Sequence, residues 1–166
     1  MSERVRILAP VDGTPEGEAV VAVAAKLMEL YGGELLLVRL VEAIDAFGPY
    51  ARSDIVRMVE ENRAYLHDLI QRWELPVEQT QCLVNHTDNT AKEIIHIAIT
   101  TEASVIVMLG HRRKGLLRWL RGSVCDDVVR ARVCPVVVVP AGGGDWYKFL
   151  AEMAPADAEA ITRTLE

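Results

Sequence analysis

Five short strand-like runs, most of them nearly unbroken in apolar residues, constrain this chain more than any other feature. They are Val5 to Val11, Leu35 to Val41, about Val77 to Val84, Val105 to Leu109 and Pro135 to Val139. A strand with one wetted face alternates apolar and polar residues, whereas a continuous apolar run between turn signals reads as a strand buried on both faces. Segments with helical spacing lie between the runs. Strand and helix therefore alternate, which calls for a parallel sheet with helices on both faces, the doubly wound α/β class.

The helices carry their own punctuation. After the first run, Asp12-Gly13-Thr14-Pro15 places an N-cap at Thr14 and a proline at the first helical position. Val20, Val23, Ala24, Leu27, Leu30 and Tyr31 follow at helical spacing until Gly32-Gly33 stops them. Residues 42 to 52, with Gly48-Pro49, show no period and form a loop. Ser53 caps a long helix that turns Val56, Val59, Leu66, Leu69, Ile70 and Trp73 toward the core and ends by Pro76. Thr90 and Glu93 make a capping box ahead of Ile94, Ile95 and Ala98, and a last helix spans about Val124 to Arg130. Residues 1–140 thus make one domain. Residues 141–166 read as a glycine linker, Gly142-Gly143-Gly144, and a short C-terminal helical tail with Trp146, Phe149, Leu150 and Met153 on one stripe.

Composition narrows the classes. A length of 166 residues and an apolar fraction of 51% suit a single core. No apolar run approaches the ~20 residues of a membrane span. Met1-Ser2-Glu3-Arg4 leads straight into a strand without a signal-peptide core. Cys82, Cys125 and Cys134 are odd in number and make no C-x-x-C pair, which suits a reducing cytoplasm and small buried thiols rather than disulfides or a protein-bound metal. A net charge of −6 weighs against nucleic acid as a partner.

One segment opposes that acidic balance. Val105 to Leu109 runs into Gly110-His111-Arg112-Arg113-Lys114-Gly115 and then, past Arg118 and Arg121, into Gly122-Ser123-Val124. A strand that ends in a glycine loop and feeds a helix gathers unpaired amides and the positive end of the helix dipole, which suits an anion. The plain alternative is a solvated cationic loop before an ordinary serine-capped helix. The first strand also ends in a glycine-bearing loop, at Asp12-Gly13, and if the first and fourth strands are neighbours both loops border one crevice. Asp12 reads equally as an aspartate that starts a turn. Gly110 to Gly115 fails as a P-loop, because Leu116-Leu117 stand where lysine and serine or threonine are required. His67 and His96 sit in helical patterns with no metal-spaced partner, and His86 beside Asp88 suits a turn hydrogen bond.

Three stretches together resemble the universal stress protein family over roughly residues 4 to 140. They are Ile7-Leu8-Ala9-Pro10-Val11-Asp12-Gly13-Thr14, the Gly33-Glu34-Leu35 entry to the second strand, and Val107-Met108 through Gly122-Ser123-Val124 to Cys134-Pro135-Val136-Val137-Val138-Val139-Pro140. The resemblance implies strand order 3-2-1-4-5, which sets the first and fourth strands side by side, and a homodimer joined through the last strand. In ATP-binding members a loop of glycine, two residues, glycine, nine residues, glycine and serine or threonine holds the phosphates, and an aspartate after the first strand holds the adenosine side. By resemblance the site comprises Asp12, Gly13, Gly110, Gly122, Ser123 and Val124, with Val41 near the adenine and Arg112, Arg113 and Gly115 within the loop.

The family frame is broken here. Arg112 or Arg113 stands for the second glycine, and Gly110 to Gly122 is one residue short. Ser104 replaces the aspartate that usually opens the fourth strand, and a glycine is missing near Asp88. A Cβ where backbone must approach phosphate is unfavourable, whereas arginine offers a planar fork to phosphate oxygens. One expected function is a cytoplasmic stress-response or regulatory domain that binds ATP or another adenine nucleotide, or a related anion, without efficient catalysis. The alternative is a homodimeric interaction module with a degenerate loop that serves an unknown protein partner. A slow nucleotide hydrolase is a third reading, with no base or metal set beyond Asp12 behind it.

Overall fold

The computed structural model describes residues 5–42, 52–110 and 123–141. Through them run β1 (Arg6–Pro10), α1 (Ala19–Tyr31), β2 (Glu34–Glu42), α2 (Arg52–Arg72), β3 (Thr80–Thr87), α3 (Thr90–Thr100), β4 (Val105–Gly110), α4 (Val124–Ala131) and β5 (Val136–Pro140). Every strand pair is parallel and the order is β3-β2-β1-β4-β5, as the resemblance implies.

Alternation across the pleat explains the unbroken apolar runs. Ile7, Ala9, Leu35, Leu37, Val107 and Leu109 point to one face, where they meet Val20, Val23, Ala24 and Met28 of α1 and Leu66, Leu69 and Ile70 of α2. Leu8, Leu36, Val38, Leu40, Ile106 and Met108 point to the other, against Ala91, Ile94, Ile97 and Ala98 of α3 and Cys125 and Val128 of α4. Burying one Leu, Ile or Val contributes about 1.5–3 kcal/mol, so both faces of the central strands are apolar over most of their length. The edge strands differ from the expectation of full burial. In β5 only Val139 is buried, while Val137 and Val138 are exposed.

Several local expectations need correction. The regular α-helix begins only at Ala19, but Thr14 caps the turn that leads into it, as its Oγ1 accepts from the Gly17 amide at 3.0 Å and its O from the Glu18 amide at 3.2 Å. Gly32, at φ +66°, closes the helix by donating to Met28 O. Ser53 lies inside α2, which already starts at Arg52, and Glu42 belongs to β2. Val56 and Trp73 are exposed, and Tyr31 of α1 is too. A turn of 3-10 helix, Val77–Gln79, takes the place expected for the start of β3. The cap of α3 is Asn89, whose Oδ1 accepts from the Lys92 amide at 3.0 Å, while Glu93 accepts from Asn85 Nδ2 at 2.7 Å. Most of the expected 42–52 loop, Arg112, Arg113, Gly115, Gly122 and the tail stripe from Trp146 to Met153 lie outside the described residues.

Candidate functional site

β1 and β4 are neighbours, yet they align only Ile7 with Val105 and Leu8 with Ile106. β1 and β2 stay in register from Arg6↔Glu34 to Pro10↔Val38. Alternate residues of a strand address opposite neighbours. Arg6 O accepts from Ser104 N at 2.8 Å on the β4 side, while Val11 N donates to Val38 O at 2.8 Å on the β2 side. Position 10 therefore faces β4, and Pro10 has no N–H to give. The ladder stops there and the strand ends part. A crevice of about 600 Å³ opens at the C-terminal end of the sheet, at the point where the winding reverses.

On the β1 side stands Asp12, whose Oδ1 accepts from Thr14 N at 2.9 Å and from Thr14 Oγ1 at 2.7 Å. Two residues permit this turn. Gly13 takes φ +81°, and Gly17 packs so closely that a Cβ on it would lie 2.1 Å from the same oxygen. The carboxylate is thereby held in one orientation at the rim.

α4 forms the opposite wall. Ser123 is extended (φ −101°, ψ 151°) and caps the helix through Oγ, which accepts from Asp126 N at 3.2 Å. The earlier first-turn amides are left for a group in the crevice, since an α-helix has no internal partners for them. Asp126 is 4% exposed in the same turn, and its negative charge is met by Arg130 Nε at 2.8 Å. That pairing limits how far Asp126 opposes an incoming anion. Cys125 lines the crevice between Ser123 and Asp126. Burial first, and the Asp126 charge second, push its thiol pKa up, so it stays protonated at neutral pH and is a poor nucleophile.

Between these walls Leu40, Ile94 and Met108 supply an apolar middle, and Arg39, Glu42 and Thr90 add polar groups to the lining. Of the residues that sequence brought together, Asp12, Val41, Ser123 and Val124 line the crevice, and Gly13 and Gly110 directly follow lining residues. Gly110 is glycine for packing, because a Cβ there would lie 2.5 Å from Val138 Cγ1 of β5. Ser104 ties β4 to β1 through Arg6, at 3.1 Å from the Arg6 amide to Oγ. His86 is opposite Val41 in β3, outside the crevice lining.

Among the lining residues that sequence reasoning missed are Arg39, Leu40, Glu42, Thr90 and Cys125. Leu40 could have been found by alternation, since it shares a face with Leu36 and Val38. Among the described residues no group of His, Cys, Asp and Glu is placed to hold a metal ion, and no helix is long and apolar enough to cross a membrane.

The model of the universal stress protein family matches residues 4–140. Among solved structures, a protein of that family from Burkholderia pseudomallei is 25% identical, with TM-score 0.63 over 85% of this chain and 99% of that one. A universal stress protein from Archaeoglobus fulgidus in complex with dAMP is 21% identical, with TM-score 0.58 over 83% and 98%. Another universal stress protein, in complex with cAMP, is 15% identical, with TM-score 0.59 over 83% and 98%. No curated protein matched the chain in sequence. The chain belongs to the universal stress protein family.

Proposed function

From that membership we propose that the crevice between β1 and β4 binds an adenine nucleotide, and that binding, rather than turnover, is the function of this regulatory domain in the cytoplasm. The carrying observation is the parting of β1 and β4 beyond Leu8, which leaves an apolar slot with a helix N-terminus on one wall and an oriented carboxylate on the other. A base fits the Leu40–Met108 middle, sugar hydroxyls suit Asp12, and a phosphate suits the amides at the start of α4. The relatives solved with dAMP and cAMP support this reading of the ligand class. Arg112 and Arg113, on the segment between Gly110 and Gly122, would add charge to the phosphate end.

The same reading includes a homodimer through β5. Val137 and Val138 are 36% and 42% exposed on this outer strand, and a bare apolar edge favours pairing with another chain. Isothermal titration of the full chain with ATP, ADP and AMP tests the ligand. Saturable heat with at least one of them is expected, and no heat with any would leave the interaction-module alternative in its place.

A further inference from the structure

Arg39 is a charged residue set within the apolar run of β2, between Val38 and Leu40. It shares the face of Leu35 and Leu37 and comes after them, at the end of the sheet where the crevice opens. Its Nε donates to Asn62 Oδ1 at 3.0 Å and its Nη1 to Leu40 O at 3.2 Å. Asn62 is itself held, since its Nδ2 donates to Met58 O at 2.8 Å. Both acceptors of Arg39 are neutral, and among the described residues it makes no ion pair. Nη2 lies against Gly13, where an added Cβ would come within 3.2 Å of it. The guanidinium is therefore braced, partly buried, and turned with uncommitted N–H groups toward the Gly13 side of the crevice.

Among the described residues no carboxylate bonds Arg39 directly, although Asp12 and Glu42 line the same crevice, so a partly buried guanidinium keeps N–H groups that a ligand anion can satisfy. The α4 N-terminus lies on the β4 side of Asp12 and Arg39 rises on the β2 side, so the two positive poles flank the carboxylate and suit different groups. We propose that Arg39 reads a second anionic group on the ligand, so that the crevice prefers nucleotides phosphorylated on a ribose hydroxyl as well as at the 5′ position. This rests on the nucleotide reading above. With the 5′-phosphate at α4 and one ribose hydroxyl donating to Asp12, a phosphate on the other of the 2′ and 3′ oxygens, turned from the carboxylate toward β2, is the group within reach of the Arg39 fork. Dinucleotide-binding sheets use the same chemistry when an arginine near the second strand accommodates a ribose 2′-phosphate.

The test is calorimetric titration of the full chain with 5′-AMP, adenosine 2′,5′-bisphosphate and adenosine 3′,5′-bisphosphate. At least one bisphosphate should bind on the order of tenfold tighter than 5′-AMP, as one added charge-assisted hydrogen-bonded pair provides. The ratio should fall toward one in Arg39→Met, and should shrink in Asn62→Ala, which loosens the guanidinium without removing it. Equal affinities in the wild type overturn the inference, as does a ratio that survives in a folded Arg39→Met. If that variant does not fold, an unchanged ratio in Asn62→Ala overturns it. Binding of none of the three removes the nucleotide reading itself, a different outcome from binding without discrimination.

Discussion

Gly17 keeps Asp12 in place by having no side chain, and a double substitution can measure this. An added Cβ would sit 2.1 Å from Asp12 Oδ1 and 3.0 Å from its Cγ, and the Gly17 backbone is not in the left-handed region. Gly17→Ala must therefore push the carboxylate off both Thr14 N and Thr14 Oγ1, which donate to it at 2.9 and 2.7 Å. A hydrogen bond to a charged group contributes about 1.5–3 kcal/mol. Rotation and half-exposure return part of that, leaving a loss of about 2 kcal/mol, or roughly 4–8 °C in Tm for a domain of this size. In an Asp12→Ala background the space is free, and the same Gly17→Ala should cost almost nothing, because alanine there also restricts the unfolded chain. Urea unfolding of the wild type, both single variants and the double variant gives the coupling, expected near 2 kcal/mol. Additivity within about 0.5 kcal/mol would show that Gly17 does not set the carboxylate.

Three further outcomes follow from single contacts. Asn89→Ala should destabilise by about 1 kcal/mol through loss of the α3 cap, with Glu93→Ala costing about half of that or less, as chemical denaturation would show. Glu18 is held below its usual pKa of 4.5 by the two hydrogen bonds from Arg72, at 2.8 Å each. Its depressed folded-state value means the stabilisation is present above the ordinary pKa and lost as pH falls through the folded one. The gap in urea midpoint between wild type and Arg72→Met should be visible at neutral pH and close in acid, and a gap independent of pH would contradict this. Val138→Lys should shift sedimentation from dimer toward monomer, and an unshifted dimer would place the contact away from β5.

The buried interior of the sheet was legible because two-sided burial leaves a signal in every residue of a strand: β1, β2 and β4 fall within about two residues of the runs that announced them. Helix contacts were harder. The period of α2 identified its inward face, yet among the described residues burial is confined to Leu66, Leu69 and Ile70 in its second half. Periodicity reports the direction of a side chain and not how far the sheet extends beneath it, so Val56 and Trp73 were misjudged. The cap of α3 falls one residue before Thr90, since Asn89 and Thr90 are both cap-forming types and it is Asn89 whose O accepts the first helical bond, from the Glu93 amide at 3.1 Å, and whose Oδ1 takes the Lys92 amide. In the site, Asp12 and Ser123 carried signals because turn and cap chemistry favour their residue types. Arg39 carried none. Its meaning depends on Asn62 and Gly13, remote in sequence, and only its isolation within an apolar strand marked it.

The central claim is that ligand binds where β1 and β4 part. The most direct measurement is an amide chemical-shift titration of the isotope-labelled chain with AMP. The account predicts saturable shifts concentrated at Asp12, Gly13 and Thr14 and at Ser123, Val124 and Cys125, with the β5 edge at Val137 and Val138 unmoved. Shifts confined to that edge, or none at all up to saturation of a nucleotide-binding control, would contradict it.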